Sequence, residues 1–152
     1  MAALLSQNDE LLVLDFTTGS VYRLDHTVGT DVDDREIRRI RRASSLFVQN
    51  NVLRVSAFEV FLEPGLGLAT GQGDDPQVSL RVSGDGGKTF GNERLAGAGK
   101  IGQYGAHTRW LRCGSGRRWM PEIVVSDPIP WRLLGASVSM MEDATRAMRG
   151  GR

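Results

Sequence analysis

The sequence is poor in the residues that build metal and redox chemistry. Its 152 residues include one cysteine, Cys113, and two histidines, His26 and His107. A single cysteine excludes an intramolecular disulfide and argues against a cysteine-based metal cluster. A lone cysteine within a strand reads as a small buried hydrophobe. Lysine is nearly missing: Lys88 and Lys100 are the only two, so the basic residues are almost all arginine. Arginine makes forked contacts to carboxylates and phosphates and stacks on aromatic rings; a GC-rich genome gives the same bias without any function. The formal net charge is only +1, so no global field draws the chain to nucleic acid or to an anionic membrane. No apolar run approaches the roughly 20 residues of a membrane span. The opening MAALLSQNDE lacks a basic stretch and is too short in apolar residues for a signal peptide. A soluble protein made in a cytoplasm, with no membrane partner, is expected. Length and composition suit one ordered domain with one core.

Several catalytic signatures are missing as well. No serine sits in a G-x-S-x-G elbow, and two histidines with no local ligand spacing support neither a hydrolytic triad nor a metal centre. Gly97, Gly99 and Gly102 spell G-x-G-x-x-G, but a strand follows where a nucleotide-binding fold needs an amphipathic helix. Lys100 precedes Ile101 rather than Ser or Thr, which rules out a phosphate loop of the Walker type. Asp31, Asp33 and Asp34 lack the glycine and the distal glutamate of a calcium loop and read as a solvated turn. No enzymatic activity and no cofactor are expected.

What remains is β-forming sequence. Leu11–Asp25 (LLVLDFTTGSVYRLD) reads as a hairpin turning at Thr17–Ser20. Such hairpins are common in propeller blades and other meanders, but no second copy recurs at a fixed period. Arg35–Ala43 (REIRRIRRA) is the one locally basic segment. It suits either a helix face, with Ile37 and Ile40 three apart, or an edge strand whose arginines blunt pairing. Arg38, Arg39, Arg41 and Arg42 are candidates to face phosphate; the plainer alternative is a solvated face paired with the acidic run beside it. Asn51–Glu63 is a long strand with apolar residues on both faces, which implies burial in a sandwich or against a neighbouring subunit. His107–Cys113 and Arg118–Ser126 read as a strand and its return across a Gly114–Gly116 turn. Pro121 suggests an edge or bulge. Trp131–Met140 is the last strand.

The chain is organised around residues 76–127. Val78, Leu80 and Val82 alternate with polar residues as a half-buried strand. Ser83-Gly84-Asp85-Gly86-Gly87-Lys88-Thr89-Phe90 then matches the Asp-box pattern S-x-D-x-G-x-T-W, with phenylalanine in the aromatic place. In this reading Asp85 accepts backbone N–H bonds, Gly87 supplies a positive φ and Phe90 plugs the corner. The predicted structural corner is therefore Ser83, Asp85, Gly87 and Phe90, with Trp110 in the core. Sialidase propellers carry several such boxes, but a retaining glycosidase needs two carboxylates about 5–5.5 Å apart across a cleft, and one box says nothing of chemistry.

From Gly71 to Ala136 the sequence resembles the packaged-DNA stabilisation proteins of short-tailed bacteriophages, also called head-completion or tail-nozzle proteins. The resemblance rests on GDDPQV (73–78), SGDGGKT (83–89), Asn92-Glu93, GKIGQY (99–104), Arg109-Trp110 and Ser126-Asp127-Pro128, in the family's order. Weaker likeness reaches upstream to Val21–Asp25. Phe90 stands where the family has Trp, and Cys113-Gly114 where it has a longer turn. The blocks lie at the C-terminal end of the much longer family proteins. The resemblance implies a structural protein of the virion, assembled in the host bacterial cytoplasm. It implies a homo-oligomeric ring, a hexamer, below the portal and its adaptor, with a lumen that continues the channel for packaged DNA. A rival reading is a carbohydrate- or receptor-binding β-domain at the tail tip, with Trp119 and Trp131 exposed on one face. The expected fold is all-β: an antiparallel, sandwich-like domain over residues 1–140 with hairpins and one Asp-box corner, then a flexible or short helical tail over 141–152.

Overall fold

A computed structural model describes residues 2–7, 10–25, 27–49 and 51–142, with side chains described from Ser6 onward except at Gln7 and Glu142. The chain is all-β and every strand pairing is antiparallel. Strands β1 (Ala2–Gln7), β2 (Glu10–Asp15) and β3 (Val21–Leu24) form a three-stranded meander in that order. The β2–β3 hairpin falls where the sequence places it. Its turn is held by Asp15, whose carboxylate accepts from the Thr17 N–H at 2.9 Å and the Thr18 hydroxyl at 2.8 Å. The Thr17 hydroxyl donates to the same carboxylate, and these bonds, Thr17 foremost, hold Asp15 below the usual carboxylate range. The acidic segment that follows closes a single 3₁₀ turn, Val32–Asp34, in solvent.

Two further sheets make the sandwich. One runs β4 (Arg39–Arg42), β10 (Met120–Val125), β6 (Gln77–Ser83), β7 (Arg94–Gly97). The other runs β11 (Leu133–Glu142), β5 (Leu53–Leu62), β8 (Thr108–Leu111), with the two-residue β9 (Ser115–Gly116) pairing the start of β5. Val78, Leu80, Ile123 and Val125 from the first sheet meet Val55, Phe58, Val60 and Trp110 from the second. Phe58 stacks on Trp110 at 6.0 Å and meets Trp119 edge-on at 5.6 Å. Aromatic pairs at such spacings add to the burial of their area. Both indoles satisfy their N–H in the core, Trp110 on Arg94 O at 2.8 Å and Trp119 on Cys113 O at 2.9 Å. Cys113 is buried, and that burial raises its thiol pKa.

Several local expectations change. The basic segment is the edge strand β4, not a helix. β8 and β10 do not pair as strand and return: β8 lies beside β5, and β10 lies between β4 and β6. Residues 112–119 instead cross from one sheet to the other. Arg112 adopts φ +55° and donates its N–H to Ser56 O, and Trp119 turns into the core. Pro121 accordingly sits in an interior strand, opposite Val82, near its start where one missing N–H costs little. β11 runs to Glu142, two residues beyond the expected strand end. The rest of the predicted tail, residues 143–152, lies outside the described residues.

The two long sides of the sandwich differ. At β7 and β8 it is closed. Arg94 donates to Leu111 O at 2.6 Å and Arg112 O at 3.2 Å, and the Thr108 hydroxyl donates to Gly97 O at 3.0 Å. At the other side, β4 and β11 are the outermost strands of their sheets.

Candidate functional site

The Asp-box corner is a closed hydrogen-bond system. Asp85 accepts from the Lys88 N–H at 2.9 Å, the Thr89 N–H at 3.0 Å, the Thr89 hydroxyl at 2.7 Å and the Ser83 hydroxyl at 2.6 Å. The Ser83 oxygen in turn accepts from the Gly87 N–H at 2.8 Å. The hydroxyl bonds of Ser83 and Thr89 hold the Asp85 carboxyl far below the usual carboxylate range. With its oxygens spent on these donors, Asp85 is a strut and not a base. Gly87 has φ +93°, and a methyl group there would meet Met120 Sδ at 2.9 Å. The corner is tied to the residue that precedes Trp119 by Gly86 N–H to Arg118 O at 2.9 Å.

Phe90 is only half-buried and differs from the expected apolar plug. Two guanidinium groups lie over its ring, Arg42 at 5.2 Å and Arg81 at 5.3 Å from its centroid. The same two arginines clasp Glu122, whose carboxylate is 1% exposed and accepts from Arg81 at 3.2 Å and from Arg42 Nε. A buried carboxylate is tolerable only when paired in this way. The corner, β4 and β10 are thus locked together by one cation–aromatic–carboxylate stack. The sequence reading missed Glu122 and Arg81; the one signal was a glutamate inside the apolar run Met120–Val125.

The structure does not bring the four candidate DNA-facing arginines onto one free surface. Arg38 pairs with Glu93 at 2.8 Å. Arg39 turns back to the chain, donating to Ile129 O at 2.8 Å and to Asp127 O. Burial pulls its guanidinium below the ordinary arginine range, against the attraction of Asp127. Arg42 holds Glu122. Arg41 alone is exposed with no such commitment among the described residues. It stands at the rim of a cleft of about 350 Å³ on the open β4/β11 side. Leu46, Pro121 and Ile123 line one wall, Leu133, Ala136 and Val138 the other, with Phe58 and Trp119 at the base.

Trp119 and Trp131 do not form the exposed aromatic face expected for a carbohydrate platform: Trp119 is fully buried and Trp131 is half-buried against the core. His107 sits near the outer end of β8 and bonds Glu59 at 3.0 Å on the surface; His26 lies outside the described residues.

A family model described as bacteriophage P22 Gp10, beta-sandwich, matches residues 38–140. The match begins just before β4 and ends within β11, so it spans both sheets of the sandwich and leaves the β1–β3 meander outside. No curated protein matches the chain.

Proposed function

The chain belongs to the bacteriophage P22 Gp10 beta-sandwich family, a family of phage structural proteins, and from that footing we propose that it is a tail nozzle or head-completion component of a virion. In this reading copies of the chain close into a ring, a hexamer, beneath the portal and its adaptor. The lumen continues the DNA channel and helps to retain the packaged genome. The observation that carries the proposal is the family match across the entire sandwich. The site agrees with it: the polar clusters at Asp85 and Glu122 are spent on holding strands together, which is what a scaffold needs.

Any grip on DNA would come from exposed guanidinium groups acting on phosphate without reading sequence. Arg41 is uncommitted, Arg38 pairs with the surface-accessible Glu93, and Arg42, itself exposed, pairs with the buried Glu122. Repeated around an axis, three such groups per copy become a field although the chain is nearly neutral.

The test is the mass of the native assembly together with electron microscopy of the purified chain, alone and with portal and adaptor proteins. A six-fold ring is expected. A chain that stays monomeric and binds neither portal nor adaptor overturns the proposal.

A further inference from the structure

Among the described residues six strands are outermost in their sheets: β1 and β3 in the meander, β4 and β7 in one sandwich sheet, β11 and β8 in the other. An open edge invites another strand, and proteins guard such edges with charge. Four of the six carry arginine, Arg23 in β3, Arg39, Arg41 and Arg42 in β4, Arg94 in β7 and Arg109 in β8, and β7 and β8 also close on each other through Arg94. The other two do not. β1 (AALLSQ) carries no charge, and β11 (LLGASVSMME) carries none before its last residue. Neither contains proline. β11 also exposes Leu134, Met140 and Met141, at 63%, 46% and 65%.

The regular part of the β11 edge is comparable in length to β1. Register shifts at Leu133/Gly135 and Ser139/Met140 bracket a regular stretch of β11, Gly135–Ser139. β1 has 6 residues. A second strand laid on β11 between the irregularities would be about as long as β1.

We propose that β1 of one copy adds to the free edge of β11 in the next copy, making a single sheet that runs across the subunit boundary. The contact is head-to-tail, because it uses two different edges of one chain. Such a contact closes into a ring when the rotation between copies allows it. Self-pairing of β11 would instead give two-fold dimers that use up the edge. The proposal deepens the ring reading above and rests on it.

The test uses the full chain. Ala3→Cys and Ser137→Cys are introduced together and singly, with the parent chain, whose Cys113 is buried, as the blank. A short bismaleimide is added to the native assembly. The double variant should yield a ladder of covalent oligomers up to the ring. The two single variants should yield covalent dimer only when mixed. A ring of unchanged mass with no ladder overturns the strand addition and leaves the nozzle reading standing. So does cross-linking of Ser137→Cys with itself. Failure to assemble at all overturns both. As a second arm, Ser137→Lys with Ser139→Lys places charge at exposed positions of the edge. The monomer should keep its thermal stability while subunit affinity falls by about tenfold or more; unchanged affinity overturns the proposal.

Discussion

Glu122 and Arg81 lie directly opposite one another on β10 and β6, and the Arg81 guanidinium donates to the fully buried Glu122 carboxylate at 3.2 Å. Arg42 completes the clasp from the neighbouring strand. Taking one partner from a buried pair leaves an uncompensated charge, which costs about 3–5 kcal/mol. Arg42 remains in Arg81→Met, so a loss near about 3 kcal/mol is expected, read as a fall in the urea midpoint. Arg41→Met, one residue away on β4 but without a buried partner, should change the midpoint by less than about 0.5 kcal/mol.

The Asp85 carboxyl titrates lower in the folded chain than in the unfolded one, where its pKa is about 3.9. Its contribution to stability is therefore complete above about pH 4 and declines as pH falls toward the folded value. Asp15 is shifted in the same direction. Thermal unfolding followed from pH 5 to pH 2 should show falling stability, and Asp85→Asn should flatten that fall. An unchanged slope in the variant would mean that the Ser83 and Thr89 bonds do not persist in solution.

Gly87 and Gly102 both have positive φ, +93° and +74°, but only Gly87 has a neighbour in the way. Gly87→Ala should therefore cost more than Gly102→Ala, which bears the backbone strain alone, about 1 kcal/mol. Equal losses would show that Met120 moves aside freely.

Trp119 fills the centre of the core and its N–H bonds Cys113 O. Trp119→Ala should cost about 3–5 kcal/mol. Trp119→Phe should cost less but still register, since it strands a buried carbonyl, about 1–3 kcal/mol. Denaturant curves on the two variants give both numbers.

Arg41→Ala should leave folding intact and weaken binding of the assembled ring to duplex DNA equally for all sequences. It should also reduce the slope of log affinity against log salt. Sequence-dependent losses would contradict a phosphate-only contact.

The Asp-box corner was legible because its chemistry is local. Ser83, Asp85, Gly87 and Thr89 meet within one turn, and a turn is specified by neighbours in sequence. The strand periods of β2, β5 and β6 were legible for the same reason. The pairing of β8 and β10 was not. A short Gly114–Gly116 link looks the same whether it closes a hairpin or crosses between sheets, and the burial of Trp119 decides between them. The role of Phe90 was half legible: its place in the corner follows from spacing, but its guanidinium neighbours come from β4 and β6, far apart along the chain.

The segment from Pro76 to Asp127, read alone, determined an all-β chain with one rigid corner, and its ordered blocks carried the likeness to phage nozzle proteins. Only the tertiary structure decided the fate of the arginines. The sequence places Arg38, Arg39, Arg41 and Arg42 within five consecutive positions, as though they formed one patch. In the fold, strand alternation and partners from distant parts of the chain, Glu93, Glu122 and the carbonyls of Asp127 and Ile129, send them to different tasks. Which edges remain unguarded was likewise decided there, because an edge exists only once the strand order is set.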